Sequence, residues 1–233
     1  SEDADRRNEA PIIQVMGVRN KKQAAHFSAE IAKLKKEMEP AKKLGLKAFA
    51  EWEANSKAKV ARWKVLTPGK MTAASGAKFK AGSDGSILVS GKTAGIDDYT
   101  IAATSKLKKI TAIKIEALAY DKLGSGGPGR NGNFVLSEIE LSGGKTKASF
   151  SNASSTYSQN KFGAASAIDG NAGSDSGWAV GGSLGKDHYI VIELDNPLDG
   201  RDLELKLLQR YSNHALGRFR ILVTDSAGPS IAL

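Results

Sequence analysis

Residues 110–118 read Ile110-Thr-Ala-Ile-Lys-Ile-Glu-Ala-Leu118, and residues 219–223 read Phe219-Arg-Ile-Leu-Val223. Apolar and polar side chains alternate through most of both stretches. Successive side chains of an extended chain point to opposite faces, so this is the pattern of a half-buried antiparallel strand with one face on a core. Similar short runs occur at Ser86 to Ser90 after Asp84-Gly85, Asp98 to Ala102, Asn133 to Leu141, Tyr189 to Leu194, Leu203 to Gln209 and Arg218 to Thr224. Gly- and Asn-rich loops separate them, and neither an internal repeat nor a helix–strand alternation is present. The pattern predicts a mainly β fold, an antiparallel β-sandwich or jelly roll.

Composition changes near Trp63. Before it Gly is rare and Ala, Lys and Glu dominate; after it Gly, Ser and Thr become frequent. This divides the chain into an N-terminal helical arm at 1–62, a β-domain at 63–228 and a short tail at 229–233. In the arm, Phe27, Ile31, Leu34 and Met38 recur at spacings of four, three and four, which places them on one face of a helix. Pro40 suits the first turn of a second helix carrying Leu44, Phe49, Trp52, Val60 and Trp63, weakened at Gly45 and Asn55-Ser56. The expectation is an antiparallel helical hairpin; the sharper alternative is a partner-binding coiled-coil stalk with a short seam. Ile12, Ile13, Val15 and Met16 form an apolar cluster suited to an edge strand.

The chain has 233 residues, a formal charge of +9 and no cysteine. Disulfides, thiolate catalysis, Cys-ligated zinc or iron–sulfur sites and covalent haem attachment are therefore excluded for these residues. The positive charge is spread, with 14 basic against 9 acidic residues in 1–63 and 20 against 16 in 64–233. A nucleic-acid binder more often shows a dense basic stripe with interleaved aromatics, so nucleic acid is not expected as a partner. No apolar run approaches the length needed to cross a bilayer, so neither is membrane insertion. Ser125 lacks the context of a nucleophile elbow, and the Gly124–Gly132 loop lacks the Gly-Lys-Ser/Thr ending of a phosphate-binding loop. The carboxylates Glu138, Glu140, Asp169, Asp175, Glu193 and Asp195 offer no preferred glycosidase pair. No enzyme activity is expected. The three histidines are too scattered for a transition-metal site, and His188, just before a strand, reads as an orienting or surface residue.

The stretch Ala167-Ile-Asp169-Gly-Asn171-Ala-Gly-Ser174-Asp-Ser176-Gly-Trp178 gathers carboxylate, amide and hydroxyl oxygens around glycines. Such a loop can fold round a hard cation, Ca2+ above all. Equally, Asp169 and Asn171 can bond local backbone N–H groups in a tight turn. Sugars present an apolar face and a rim of hydroxyls, so a sugar site needs an aromatic beside polar side chains. Arg210-Tyr211-Ser-Asn213-His214 is such a cluster, with Tyr211 to stack and Arg210, Asn213 and His214 to reach hydroxyls or an anionic group. Tyr157, Arg130 and Asn131 form a second. The alternative is that Tyr211 caps the core and His214 bonds its own loop. Trp178 is expected in the core.

Ser151-Asn-Ala-Ser, Ala164-Ala-Ser-Ala-Ile-Asp-Gly-Asn171, Trp178, His188-Tyr-Ile-Val-Ile-Glu-Leu194 and Gly217-Arg-Phe-Arg-Ile221 resemble the discoidin, or coagulation-factor type C, module. That resemblance implies a galactose-binding-like jelly roll, a structural calcium at Asp169 and Asn171 with Ser174 or Ser176 in place of a Thr, and a Glu from another strand. Glu138, in Phe134-Val-Leu-Ser-Glu138-Ile-Glu-Leu141, resembles that Glu but precedes the loop, so a permuted strand order is implied. Trp63-Lys-Val-Leu-Thr-Pro68, Asp84-Gly-Ser-Ile-Leu-Val-Ser-Gly91, Gly127-Pro-Gly-Arg-Asn-Gly-Asn-Phe-Val-Leu-Ser-Glu138 and Gly217-Arg-Phe-Arg220 also resemble a module of large secreted planctomycete proteins that often carry cytochrome-c-like domains. The resemblance implies a non-catalytic carbohydrate-binding module, extracytoplasmic and without haem of its own. Its partners would be a polysaccharide, anionic in view of the net charge, and other domains of a parent chain. The alternative function is a structural or protein–protein module packing against those domains.

Overall fold

The computed structural model describes residues 18–58 and 61–226. They form two compact units divided between Lys57 and Ala58. The segment of Ile12, Ile13, Val15 and Met16 and the tail at 229–233 lie outside the described residues.

Among the described residues the first unit is one helix, α1 (Val18–Ala58), whose last residue already belongs to the second unit. At 1.5 Å per residue its 41 residues extend about 60 Å. The expected hairpin is thereby corrected: Pro40 lies inside α1 and does not open a second helix. The missing proline N–H leaves the Lys36 carbonyl to water, which an exposed helix supplies. Gly45 alone costs only about 1 kcal/mol against the good helix formers around it.

The second unit carries β1 (Lys64–Val65), β2 (Thr67–Ala73), β3 (Lys78–Ala81), β4 (Ile87–Ser90), β5 (Tyr99–Thr104), β6 (Lys109–Ala117) and β7 (Val135–Leu136). Then follow β8 (Glu138–Gly143), β9 (Thr146–Lys147), β10 (Phe150–Ser155), β11 (Trp178–Ala179), β12 (His188–Asp199), β13 (Leu203–Leu208) and β14 (Arg218–Thr224). A seven-stranded sheet runs β10-β12-β6-β14-β4-β3, with β1 also on β14; a five-stranded sheet runs β2-β5-β13-β8-β9; β11 and β7 make a short pair. All these ladders are antiparallel.

Both large sheets feed one apolar cluster, with Ile113, Ile115, Ile190, Phe219 and Ile221 from the first and Tyr99, Ile101, Ile139, Leu205 and Leu207 from the second. This arrangement fits a two-layer sandwich. The alternation read at residues 110–118 and 219–223 is its cause. Ile115 and Ile221, paired across β6 and β14, are buried. One residue along, Glu116 and Arg220 pair on the other face and form an ion pair at 2.7 Å. Trp178 is fully buried against Phe134, ring centroids 5.0 Å apart, and its indole N–H donates to the Tyr157 carbonyl. His188 is buried, not superficial, with Nε2 2.7 Å from the Ser183 carbonyl.

Candidate functional site

The loop from Gln209 to Leu216 joins β13, in one sheet, to β14, in the other. Gln209, 1% exposed, anchors its base. Its Nε2 donates to the Asp97 carbonyl at 2.7 Å, and its Oε1 accepts from the Leu216 N–H at 2.6 Å. Burying an amide is costly unless its polar atoms are matched, and here they tie the two ends of the loop to each other and to the Asp97 carbonyl. The Tyr99 hydroxyl adds a bond to the Leu216 carbonyl, and burial, with the Asp97 charge, pushes the Tyr99 pKa up.

On this anchored base the loop presents an aromatic group. Tyr211 is 40% exposed. Its ring lies edge-on to His214 with centroids 4.7 Å apart, and edge-on to Phe162 with centroids 6.0 Å apart. Asn213 sits at φ 62°, a left-handed conformation that Asn tolerates well. Its N–H donates to the Gly95 carbonyl, and its own carbonyl accepts from Asn131 Nδ2 at 3.2 Å. His214 Nδ1 lies 2.8 Å from the Ser212 carbonyl, which in the neutral ring makes Nδ1 the donor and leaves Nε2 an acceptor. Arg210 pairs with Asp98 through Nη2 at 2.7 Å, while its Nε is shut off from solvent without an acceptor.

Of the expected first cluster, Tyr211 and His214 meet ring to ring while Arg210 pairs with Asp98, and Asn131 of the second joins the loop through the Asn213 carbonyl. Arg130 and Tyr157 do not. The Arg130 guanidinium is turned inward, donating to the Gly91 and Lys92 carbonyls at 2.6 and 2.7 Å and lying 3.8 Å from Asp97. Tyr157 donates its hydroxyl to the Gly181 carbonyl and places its ring beside His188. With their polar atoms already bonded inside the fold, neither side chain is left for an outside ligand. Phe162 was missed. It stands far from residues 210–214 in the chain, so no local signal joins it to them.

The second place singled out is the loop of residues 169–176. Asp169 Oδ1 accepts from the Asn171 N–H at 2.8 Å and Asn171 Oδ1 from the Gly173 N–H at 3.0 Å, two successive turns closed by side chains. Ser176, buried, directs its hydroxyl to Asp169 Oδ2 at 3.5 Å, whereas Ser174 is exposed. Glu138, at the start of β8, reaches the same loop, its Oε2 accepting from the Gly170 N–H at 3.1 Å. Burial raises the Glu138 pKa, and the Asp169 and Glu140 charges raise it further. The donors are all hard oxygens, the type Ca2+ takes. Only two carboxylates converge, however, and among the described residues no group of three or more His, Asp or Glu is placed to hold a metal ion. Neutral oxygens of Asn171, Ser176 and the backbone would have to complete any shell.

Comparison with known proteins adds no relative: no protein-family model, no curated protein sequence and no solved structure matches the chain.

Proposed function

We propose that the β-unit is a non-catalytic glycan-binding module of the galactose-binding-like jelly-roll type, acting outside the cytoplasm. The observation that carries this reading is the exposed Tyr211 ring, braced edge-on by His214 and Phe162 on a loop that also carries Arg210 and Asn213, the latter bonded by Asn131. A pyranose would lay its C–H face on Tyr211, while the amides and His214 Nε2 meet its hydroxyls. The Arg210 guanidinium, part-exposed beside its Asp98 partner, favours a polymer bearing carboxylate or sulfate groups. Because Gln209 holds the loop in one shape beforehand, little ordering cost falls on binding.

Calcium belongs to this proposal as a structural ion. Glu138 and Asp169 would supply its negative charge, with Asn171 and Ser176 as neutral donors, and the ion would relieve the repulsion between the two carboxylates. It would brace the loop and would not touch the sugar.

The test is affinity electrophoresis through gels containing neutral, uronic-acid or sulfated polysaccharides, with the wild-type protein and Tyr211→Ala. Retardation by one polymer class, lost in Tyr211→Ala at unchanged thermal stability, is the expected result. Uniform mobility of the wild type in every gel overturns the reading. It would favour the second one, a structural or protein–protein module, for which the apolar residues exposed on α1 are the specific observation.

A further inference from the structure

Helix α1 exposes Phe27, Ile31, Leu34, Met38, Leu44, Leu46, Phe49 and Trp52, each by half or more of its surface. All but Leu44 and Leu46 lie within a narrow stripe. At 100° per residue, Ala24, Phe27, Ile31, Leu34, Met38, Ala41, Gly45, Ala48 and Trp52 follow one another at alternating steps of three and four, the spacing of an unbroken heptad seam. Ala24, Ile31, Met38, Gly45 and Trp52 take the a positions, and Phe27, Leu34, Ala41 and Ala48 the d positions. Pro40 falls at a c position, on the far side, so it does not interrupt the seam.

The flanking positions say what covers this stripe. In a parallel pair of identical helices, a residue at g meets the e residue five places later on the partner. Here Glu30 would face Lys35, Glu37 would face Lys42 and Leu44 would face Phe49. Two pairs are of opposite charge. The third is apolar and falls where the seam narrows to Ala41, Gly45 and Ala48, so that Leu44 and Phe49 close over the small residues. An antiparallel pair centred on the same seam would instead set Lys35 against Lys42 and Glu30 against Glu51, two like-charge contacts. Within one helix Glu30 lies 3.5 Å from His26 and Glu37 lies 3.9 Å from Lys33, both exposed pairs that cost little to exchange.

We propose that α1 pairs with α1 of a second copy of this chain as a parallel, in-register two-stranded coiled coil. The inference is independent of the glycan reading, but it would present two β-units on one stalk. Two modest sites on one polymer raise overall binding through effective concentration without any new contact.

Sedimentation of the whole chain over a range of concentrations tests it, with three variants. The wild type is expected to sediment at twice its 24.6 kDa mass. Lys35→Glu with Lys42→Glu, and separately Glu30→Lys with Glu37→Lys, turn four attractive contacts of the symmetric dimer repulsive. Each should weaken self-association at least about tenfold. An equimolar mixture of the two should dimerise again, which also shows that neither variant has lost its helix. The chain has no cysteine, so Leu34→Cys provides a single thiol, and oxidation should link two copies through residue 34. A wild type that stays monomeric at all concentrations overturns the proposal. So does a dimer that withstands the charge reversals, or one in which Leu34→Cys fails to cross-link while a mixture of Leu34→Cys with Gly45→Cys succeeds, the sign of antiparallel pairing.

Discussion

Two of the chain's three tryptophans stand in opposite circumstances. Trp178 is fully buried in the β-unit, with its ring against Phe134 and its N–H bonded, whereas Trp52 on α1 is 57% exposed beside Phe49. The contrast extends to their units. The β-unit encloses its own apolar residues in a single cluster between two sheets, and almost every strand contributes. Among the described residues the helical unit exposes an apolar stripe and has no second layer to fold it against. A sheet pair can satisfy itself; a single amphipathic helix is stable in proportion to what covers it.

The largest effect that sharpens this contrast is expected from Trp178→Ala, which should cost about 3–5 kcal/mol in urea unfolding of the β-unit. The same change at Trp52 should move that transition by less than about 0.5 kcal/mol. Comparable losses at both positions would break the contrast. Next comes Gly129→Ala. A Cβ at residue 129 would collide with the Asn133 carbonyl, so a loss of about 2 kcal/mol is expected from the clash alone, read from the shift in the denaturation midpoint. An unchanged midpoint would mean that the Gly127–Asn133 loop yields easily and does not brace Asn131.

A smaller effect is expected at Glu138, where pH gives the readout. Its folded pKa lies above the ordinary carboxylate value, chiefly through burial. The folded state therefore holds this proton more tightly, and stability from this group is highest at acid pH and falls as pH rises through the folded pKa. In chelator, Glu138→Gln should raise the melting temperature by a few degrees at neutral pH, and the gain should vanish in acid. In excess calcium the same variant should lose stability if the ion is held there, since binding to the folded state alone supplies the difference. An equal gain in both buffers would mean that no ion is held. A small change, below about 1 kcal/mol by melting, is expected for Tyr211→Ala, as Tyr211 is 40% exposed.

How much was legible in the sequence follows from what each strand packs against. β4, β5, β6, β12, β13 and β14 read clearly because one face of each is buried, which forces the alternation. β2 and β10 did not. β2 lies at a sheet edge and contains Pro68 and Gly69, and β10, Phe150-Ser-Asn-Ala-Ser-Ser155, is another edge strand with little to bury. Edge strands are selected against regular apolar patterning, which would invite pairing with other chains. In the site, Tyr211, His214, Asn213 and Arg210 were legible because they are consecutive or nearly so. Phe162, Asp98 and Gln209 were not, since each acts through a partner far away in the chain.

Residue pattern and composition suffice for a mainly β chain with a helical segment before it and for the absence of cysteine chemistry. These follow from local periodicity and composition, which act over a few residues. Tertiary structure alone decided that Arg130 turns inward to the Gly91 and Lys92 carbonyls, that Glu138 reaches the Gly170 N–H, and that Asn131 meets the 210–214 loop. Helix continuity across Pro40 was likewise not decided by sequence pattern, because proline is compatible both with a helix start and with an exposed helix interior. The reason is common to all four cases: a polar or conformationally ambiguous residue takes its role from the acceptors and solvent around it, and those are assembled only when distant segments meet.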